Sequence, residues 1–192
     1  MRLYKFIQVT IILVLLTSCA NNQFDNISKL IGKEIRFPKR LYATYNGKDT
    51  TTSSIPPIIC EYPAAEFQIL YKNNQNCSIC STTSLSQYKA IIDYTRENKD
   101  FGVVIIYSSN DSNYLDLIYG LEKHPINYPV YLDKLNEFEK LNSNILLTSQ
   151  YSAFLLNAQN KIVLVGDPKK NSKLWNLYKT TIETITDHEV NQ

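Results

Sequence analysis

The sequence lacks several features that would assign a function class directly. Its 192 residues include two histidines, and 20 lysines and arginines balance 18 aspartates and glutamates without forming a basic cluster. Nucleic-acid-binding proteins carry such a cluster, so the composition argues against that class of partner. The apolar run Ile11–Leu16 is shorter than the roughly 20 residues that a permanent transmembrane helix needs. The sequence also contains no internal repeat.

The N-terminus instead has the pattern of a signal peptide. Arg2 and Lys5 precede the short apolar run, and Leu16-Thr17-Ser18-Cys19 resembles a bacterial lipobox, whose cysteine becomes the lipidated first residue of the mature chain. We therefore expect a signal peptide over residues 1–18 and lipidation of Cys19. The protein would be held by acyl chains to a membrane of the bacterial cell envelope, at the periplasmic face or in the outer membrane. The alternative is an ordinary signal peptide with a cysteine nearby by chance.

Removal of residues 1–18 would leave 192 − 18 = 174 residues, with 20 − 2 = 18 basic and 18 acidic side chains. The mature chain would then be formally neutral and of a size that suits one domain. Residues 20–29 are polar and rich in asparagine. We expect a lipidated tether over residues 19–31 and a single domain over residues 32–192.

Hydrophobic periodicity predicts strands and helices in alternation along the domain. The predicted elements are a short strand at 32–37, a loop or irregular hairpin at 43–57, strands at 67–72, 103–107 and 130–132, helices at 78–98, 112–122, 135–141 and 172–186, and a hairpin of two strands at 153–165. This order indicates a parallel sheet with right-handed crossovers, and the closing hairpin adds antiparallel strands at one edge. The expected fold class is therefore an α/β sandwich with a mixed central sheet.

Cys77 and Cys80 are the candidate catalytic residues. They lie one helical turn apart, between a predicted strand and a predicted helix, where α/β folds place their sites. A thiol at a helix N-terminus is stabilised as a thiolate by unsatisfied N–H groups and by the helix macrodipole. Cys77 would be the attacking nucleophile, and Cys80 would resolve the mixed disulfide.

On these residues the chain resembles the thioredoxin superfamily over about 58–186. The motif is Cys77-Ser78-Ile79-Cys80 between a strand and a helix, followed by the hairpin and the last helix in the expected order. The chain is more particularly similar to thioredoxin-like lipoproteins of Bacteroides-type bacteria. That similarity rests on the lipobox, the cysteine pair, Gly32-Lys33-Glu34-Ile35, Phe154-Leu155-Leu156, and Gly166-Asp167-Pro168 followed by Leu177-Tyr178.

The resemblance implies a thioredoxin-like three-layer sandwich with helices on both faces of the sheet. It also implies a thiol–disulfide oxidoreductase without a metal or organic cofactor. Its partners would be exported proteins with exposed thiols or disulfides, and it would contact the membrane through its lipid and bind no nucleic acid.

Three positions depart from the pattern of the superfamily. Asn76 stands where a tryptophan commonly precedes the first cysteine, and Tyr71 stands where many members carry a buried acid. Tyr151 occupies the position of the cis-proline that most members place opposite the pair. Because that proline shapes the groove for the substrate backbone, we assign the candidate groove to Asn76, Gln150 and Tyr151. A cis bond without proline costs several kcal/mol, so we predict a trans peptide before Tyr151.

Other interpretations of the cysteine pair stay open. The chain could be a redox-inactive binding module in which Cys77 and Cys80 form a structural disulfide, although a bridge closing so short a loop removes little unfolded-state entropy. Metal binding is disfavoured, since only Cys60, His124 and His188 remain as further ligands, at unhelpful spacing.

Peroxidase chemistry is a further alternative with little support. The Pro-x-x-x-Thr-x-x-Cys pattern of peroxiredoxins would need proline at Leu70 and threonine at Asn74. Cys60 follows apolar residues and is interpreted as a buried free thiol, the alternative being an exposed thiol. We expect His124 to face solvent and assign it no catalytic role.

Overall fold

The structure, a computed structural model, describes residues 25–39, 41–49, 67–73, 85–98, 100–108, 114–146 and 151–190. Seven strands within these ranges form one sheet. They are β1 Tyr42–Tyr45, β2 Lys48–Asp49, β3 Phe67–Asn73, β4 Phe101–Ser108, β5 Pro129–Asp133, β6 Ala153–Leu156 and β7 Ile162–Val165. Their spatial order is β2-β1-β5-β4-β3-β6-β7. Strands β3, β4 and β5 are parallel, whereas β1 and β6 pair antiparallel with β5 and β3.

Helices connect these strands at nearly the predicted places. They are α1 Lys89–Glu97, which follows a 3₁₀ turn at Ser86–Tyr88, α2 Tyr114–Lys123, α3 Glu137–Leu141, α4 Ser143–Leu146 and α5 Ser172–Val190. No helix in the described part of the chain combines the length and apolar character needed to cross a membrane.

The sheet separates two hydrophobic cores, because β4 alternates its side chains between them. Val103 and Ile105 pack with α1, α2 and α5 on one face, and Val104 and Ile106 pack with α3, α4 and the N-terminal segment on the other. All four side chains are fully buried, as expected for a strand covered on both faces. The predicted α/β fold with a mixed sheet and helices on both faces is therefore confirmed.

Side-chain oxygens cap two of the helices. The Asp133 carboxylate, at the end of β5, accepts hydrogen bonds from the backbone N–H groups of Glu137 and Phe138, both at 2.9 Å. The Asn171 side chain accepts from the N–H groups of Lys173 and Leu174. Such caps satisfy N–H groups that a helix start leaves without partners.

Of the loop or irregular hairpin expected at 43–57, the described residues show a hairpin, whose strands β1 and β2 form one edge of the sheet. Asn46 and Gly47 join the two strands with φ angles of 53° and 75°, as an Asn-Gly hairpin turn requires. Strand β1 then extends the sheet beside β5. The sheet therefore has antiparallel strands at both edges, whereas only the closing hairpin was expected to supply them.

The N-terminal segment corrects two further predictions. The expected strand at 32–37 is reduced to one isolated bridge between Glu34 and Lys161, because Gly32 has a φ of 80° and Pro38 follows. Residues 25–28 form a helical turn, and Leu30 is 4% exposed within the second core. The folded part thus includes residues that were assigned to the tether.

Candidate functional site

Strand β3 leads the chain towards the candidate site. It ends at Asn73, four residues before Cys77, at the edge where β4 and β5 also end. The carboxyl ends of parallel strands are the usual place for sites in α/β folds. Most of the residues singled out from the sequence lie outside the described residues: Cys19, Cys60, Asn76, Cys77, Cys80 and Gln150. The expected start of the helix near Ser78 also lies outside them.

Tyr151 is the predicted groove residue that the structure describes. It lies two residues before Ala153, which pairs with Tyr71 of β3, so the antiparallel register places it level with the end of β3. Its side chain is half-buried and packs against the core on the α3–α4 face. The peptide bonds among described residues are all trans, and the bond from Gln150 to Tyr151 is not among them. Tyr151 therefore lies at the predicted edge, partly engaged in packing.

The loop after β7 places the largely buried carboxylate of Asp167 beside the 3₁₀ turn at Ser86–Tyr88. The Tyr88 hydroxyl donates a hydrogen bond of 2.7 Å to Asp167 Oδ1, which also accepts from the backbone N–H of Lys169 at 3.1 Å. The Lys169 ammonium lies 3.6 Å from Asp167 Oδ2 and 4.7 Å from the centre of the Tyr88 ring. The side chains of Lys169 and Asp167 are 5% and 9% exposed. We call Tyr88, Asp167 and Lys169 the Asp167 cluster.

Tyr178 of α5 also forms a hydrogen bond with the loop after β7. Its hydroxyl donates a hydrogen bond of 2.7 Å to the carbonyl oxygen of Gly166. Burial raises the pKa of Tyr178 far above the ordinary tyrosine value, because a phenolate there would be separated from water, and the negative charge of Asp167 raises it further. Tyr178 is therefore a neutral donor throughout the physiological pH range.

The strand register places the Asp167 cluster at the candidate-site edge. Strand β7 is antiparallel to β6 and so runs in the direction of β3. The Gly166 N–H donates to the carbonyl oxygen of Ala153, the residue paired with Tyr71. Asp167 thus follows the second strand from β3, with β6 between them. In the sequence, Gly166-Asp167-Pro168 contributes to the family resemblance but does not mark Asp167 as a site residue.

Ser108 is a second residue at this edge that the sequence did not single out. It is the last residue of β4, next to Tyr107, which pairs with Asn73. Its Oγ atom is buried and has no hydrogen-bond partner among the described residues. A single serine after an apolar strand gives no sequence signal of this kind.

The described residues contain no cluster of three or more His, Cys, Asp or Glu side chains that could hold a metal ion. His124, which was expected to face solvent, is half-buried after the end of α2. Its backbone N–H donates to the Gly120 carbonyl oxygen at 3.0 Å. The structure gives it no part in the candidate site.

No model of a known protein family matches the chain, and no curated protein does. Solved structures do match. The mitochondrial 2-Cys peroxiredoxin of Plasmodium falciparum has a TM-score of 0.52 and 14% identity, over 85% of this chain and 98% of that one. A thioredoxin-like protein in its oxidised form has a TM-score of 0.50 and 12% identity, over 81% and 98%.

A thioredoxin-like protein from Bacteroides caccae is similar over a smaller part. It has a TM-score of 0.39 and 21% identity, over 55% of this chain and 38% of that protein. This match is not used to assign the fold. Together with the sheet order, the two fuller matches show a thioredoxin-like fold, as the sequence predicted.

The likeness to a peroxiredoxin does not extend to that family's sequence motif. Leu70 and Asn74 stand where the motif before the first cysteine would need proline and threonine. The shared feature is therefore the fold.

Proposed function

We propose that this protein is a thiol–disulfide oxidoreductase of the bacterial cell envelope, anchored to a membrane through Cys19 and acting through Cys77 and Cys80. The observation that carries the proposal is the position of β3. This central strand of a thioredoxin-like sheet ends four residues before Cys77, at the edge that also holds Tyr151. Thiol redox chemistry is the general activity that such a fold with a Cys-x-x-Cys pair supports.

The proposed reaction needs only the two thiols and a substrate disulfide. The Cys77 thiolate attacks one sulfur of the disulfide, so a Cys77–substrate disulfide forms and the other substrate sulfur leaves as a thiolate. The Cys80 thiolate then attacks the Cys77 sulfur and releases the second substrate thiolate. The substrate gains two electrons, and the pair becomes a Cys77–Cys80 disulfide. The reverse sequence oxidises a substrate dithiol.

Trapping of the mixed disulfide tests this proposal. With Cys80→Ala, no resolving thiol remains, and substrates should accumulate as disulfides on Cys77 that a reductant releases. The matched control is Cys77→Ala, with Cys60→Ser in both variants so that one thiol is compared at a time. Equal trapping by the two variants, or none by either, would contradict the proposed roles.

Titration of the pair against glutathione separates exchange from a structural bridge. A working exchanger should have a reduction potential between those of thioredoxin, about −270 mV, and DsbA, about −120 mV. A value below about −300 mV would mark a structural disulfide. The membrane anchor is tested independently, since Cys19→Ser should release the protein from the membrane fraction.

Tyr151 gives specific support to the alternative of a redox-inactive binding module. It occupies the position of the groove proline, and its ring packs partly on the core. A protein with this fold could hold a partner at the same edge without exchanging electrons. Capture of a partner by both cysteine variants without a covalent bond would favour that function.

A further inference from the structure

A cleft lies between α1 and the loop that leads into β5. It has a volume of about 190 Å³ and is mostly apolar, with Ile92, Pro125 and Ile126 in its wall. Ile92 is 1% exposed and therefore belongs to the floor of the cleft. Helix α1 covers one face of the sheet, whereas Tyr151 packs on the other. The cleft is therefore distinct from the part of the sheet edge where Tyr151 lies.

The loop wall of the cleft is held in place by a side chain of the β1–β2 turn. Asn46 Oδ1 accepts hydrogen bonds from the backbone N–H groups of Ile126 and Asn127, at 3.1 and 2.9 Å. Asn46 Nδ2 donates to Asn127 Oδ1 at 2.8 Å. The hydroxyl of Tyr128, the next residue, accepts from the Val103 N–H of β4 at 3.1 Å. Because two other elements fix this loop, a ligand would bind there without the cost of ordering it.

Three charged side chains of α1 stand at the mouth of the cleft. Lys89 and Arg96 both line it, with side chains 77% and 57% exposed. Asp93, which lies between them, accepts a hydrogen bond from each. The charges that line the cleft therefore leave one positive charge in excess. An ammonium has three N–H donors and a guanidinium has five, so both cations keep donors for a second carboxylate.

We propose that this cleft binds a small apolar carboxylate, with its hydrocarbon group on Ile92 and Ile126 and its carboxylate on Arg96 and Lys89. This inference goes beyond the proposed function and does not depend on the thiols. A protein cavity of about 150 Å³ holds benzene, so one ring of that size fits here. Apolar walls with a few convergent polar groups are usual for small-molecule sites. The planar guanidinium of arginine also suits a carboxylate, because it donates two parallel hydrogen bonds.

Titration with phenylacetate, followed by amide chemical shifts in two-dimensional NMR spectra, tests the proposal. The neutral analogue 2-phenylethanol has a similar shape and separates the contribution of the charge from that of the ring. Phenylacetate should shift the amides of Ile92, Ile126 and Asn127 in a saturable way. It should bind about threefold more tightly than 2-phenylethanol, as one exposed ion pair allows. No saturable shift of these amides, or equal affinity for the two ligands, would overturn the proposal.

Substitution of Arg96 tests the part assigned to the cations. Arg96→Gln should weaken phenylacetate binding about threefold and leave 2-phenylethanol binding unchanged. The matched control is Arg36→Gln, which removes an exposed arginine from the N-terminal segment on the other face of the sheet and should change neither affinity. An equal loss in the two variants would overturn the proposed contact, because it would show that only the net charge of the protein matters.

Substitution of Asp93 tests the same contact with the opposite sign. Asp93→Asn removes the carboxylate that Lys89 and Arg96 now share, so phenylacetate should bind about threefold more tightly, again with no change for 2-phenylethanol. The control Asp116→Asn removes an exposed carboxylate from the first turn of α2 and should have no effect. Unchanged or weaker binding of phenylacetate by Asp93→Asn would overturn the assignment of the ligand carboxylate to these two cations.

Discussion

The side-chain amide of Asn142 forms hydrogen bonds with both backbone groups of Arg36. Its Oδ1 accepts from the Arg36 N–H and its Nδ2 donates to the Arg36 carbonyl oxygen, each at 2.8 Å. Asn142 is 1% exposed and lies between α3 and α4. One side chain thus attaches the N-terminal segment to the helices on that face, as a neighbouring strand would.

We expect Asn142→Ala to lower the free energy of unfolding by about 2 kcal/mol, because the partly buried N–H and carbonyl groups of Arg36 lose their hydrogen-bond partners. Urea unfolding measures the change. The control is Asn176→Ala, an exposed position on α5, which should cost almost nothing. Equal values for the two variants would mean that water replaces both hydrogen bonds without loss.

Gly47 and Gly32 form a matched pair for testing the turn between β1 and β2. Both have positive φ angles, 75° and 80°, but a Cβ atom at Gly47 would lie 2.5 Å from the Ile118 carbonyl oxygen, whereas nothing lies within 4 Å at Gly32. Gly32→Ala should lower the free energy of unfolding by about 1 kcal/mol, because alanine is strained at a positive φ. Gly47→Ala should lower it by about 1–3 kcal/mol more, because the turn must also move away from α2.

Thermal and urea unfolding of the two glycine variants give this difference directly. The comparison removes the backbone contribution, since both substitutions place an alanine at a similar φ. Similar losses in the two variants would show that the hairpin moves away from α2 at little cost.

The sequence predicted those parts of the fold that have a strong local pattern. The buried run of β4, the hairpin of β6 and β7, and the helical period of α5 each repeat over several residues, so their periods are readable. The short strand β1 has no such run, and its pairing with β5 depends on residues more than 80 positions away. Its place in the sheet could not be read locally.

A candidate site could be proposed from the sequence only where a motif marked it. The motif proposes the cysteine pair, which lies outside the described residues, and the spacing to Phe154 proposes Tyr151. The hydrogen bond between Tyr88 and Asp167 joins residues 79 positions apart, and neither residue type marks such a contact. The largely buried Asp167 carboxylate in the loop after β7 therefore had to be found in the structure.

Ser108→Ala tests whether the buried hydroxyl at the end of β4 is in use. With no partner among the described residues, the hydroxyl bears a desolvation cost that alanine removes, so stability should rise by about 1 kcal/mol. Ser152→Ala, at a half-buried position before β6, is the control. A loss of stability with Ser108→Ala would instead indicate that the hydroxyl bonds to water or to the chain outside the described residues.

Alkaline pH should destabilise the fold through Tyr178. Burial raises its pKa in the folded state above the ordinary value of 10.0, so above pH 10 the unfolded chain loses this proton while the folded chain keeps it. The stabilising contribution is complete below pH 10 and declines as the pH rises, by about 1 kcal/mol between pH 10 and pH 11 for one such group.

The variant Tyr178→Phe tests this pH dependence. It should be less stable than the wild type at pH 7, since the hydrogen bond to Gly166 is lost. It should also lose less stability than the wild type between pH 10 and pH 11. Urea unfolding at pH 7, 10 and 11 measures both proteins, and parallel curves for wild type and Tyr178→Phe would show that the Tyr178 phenolate is tolerated in the fold.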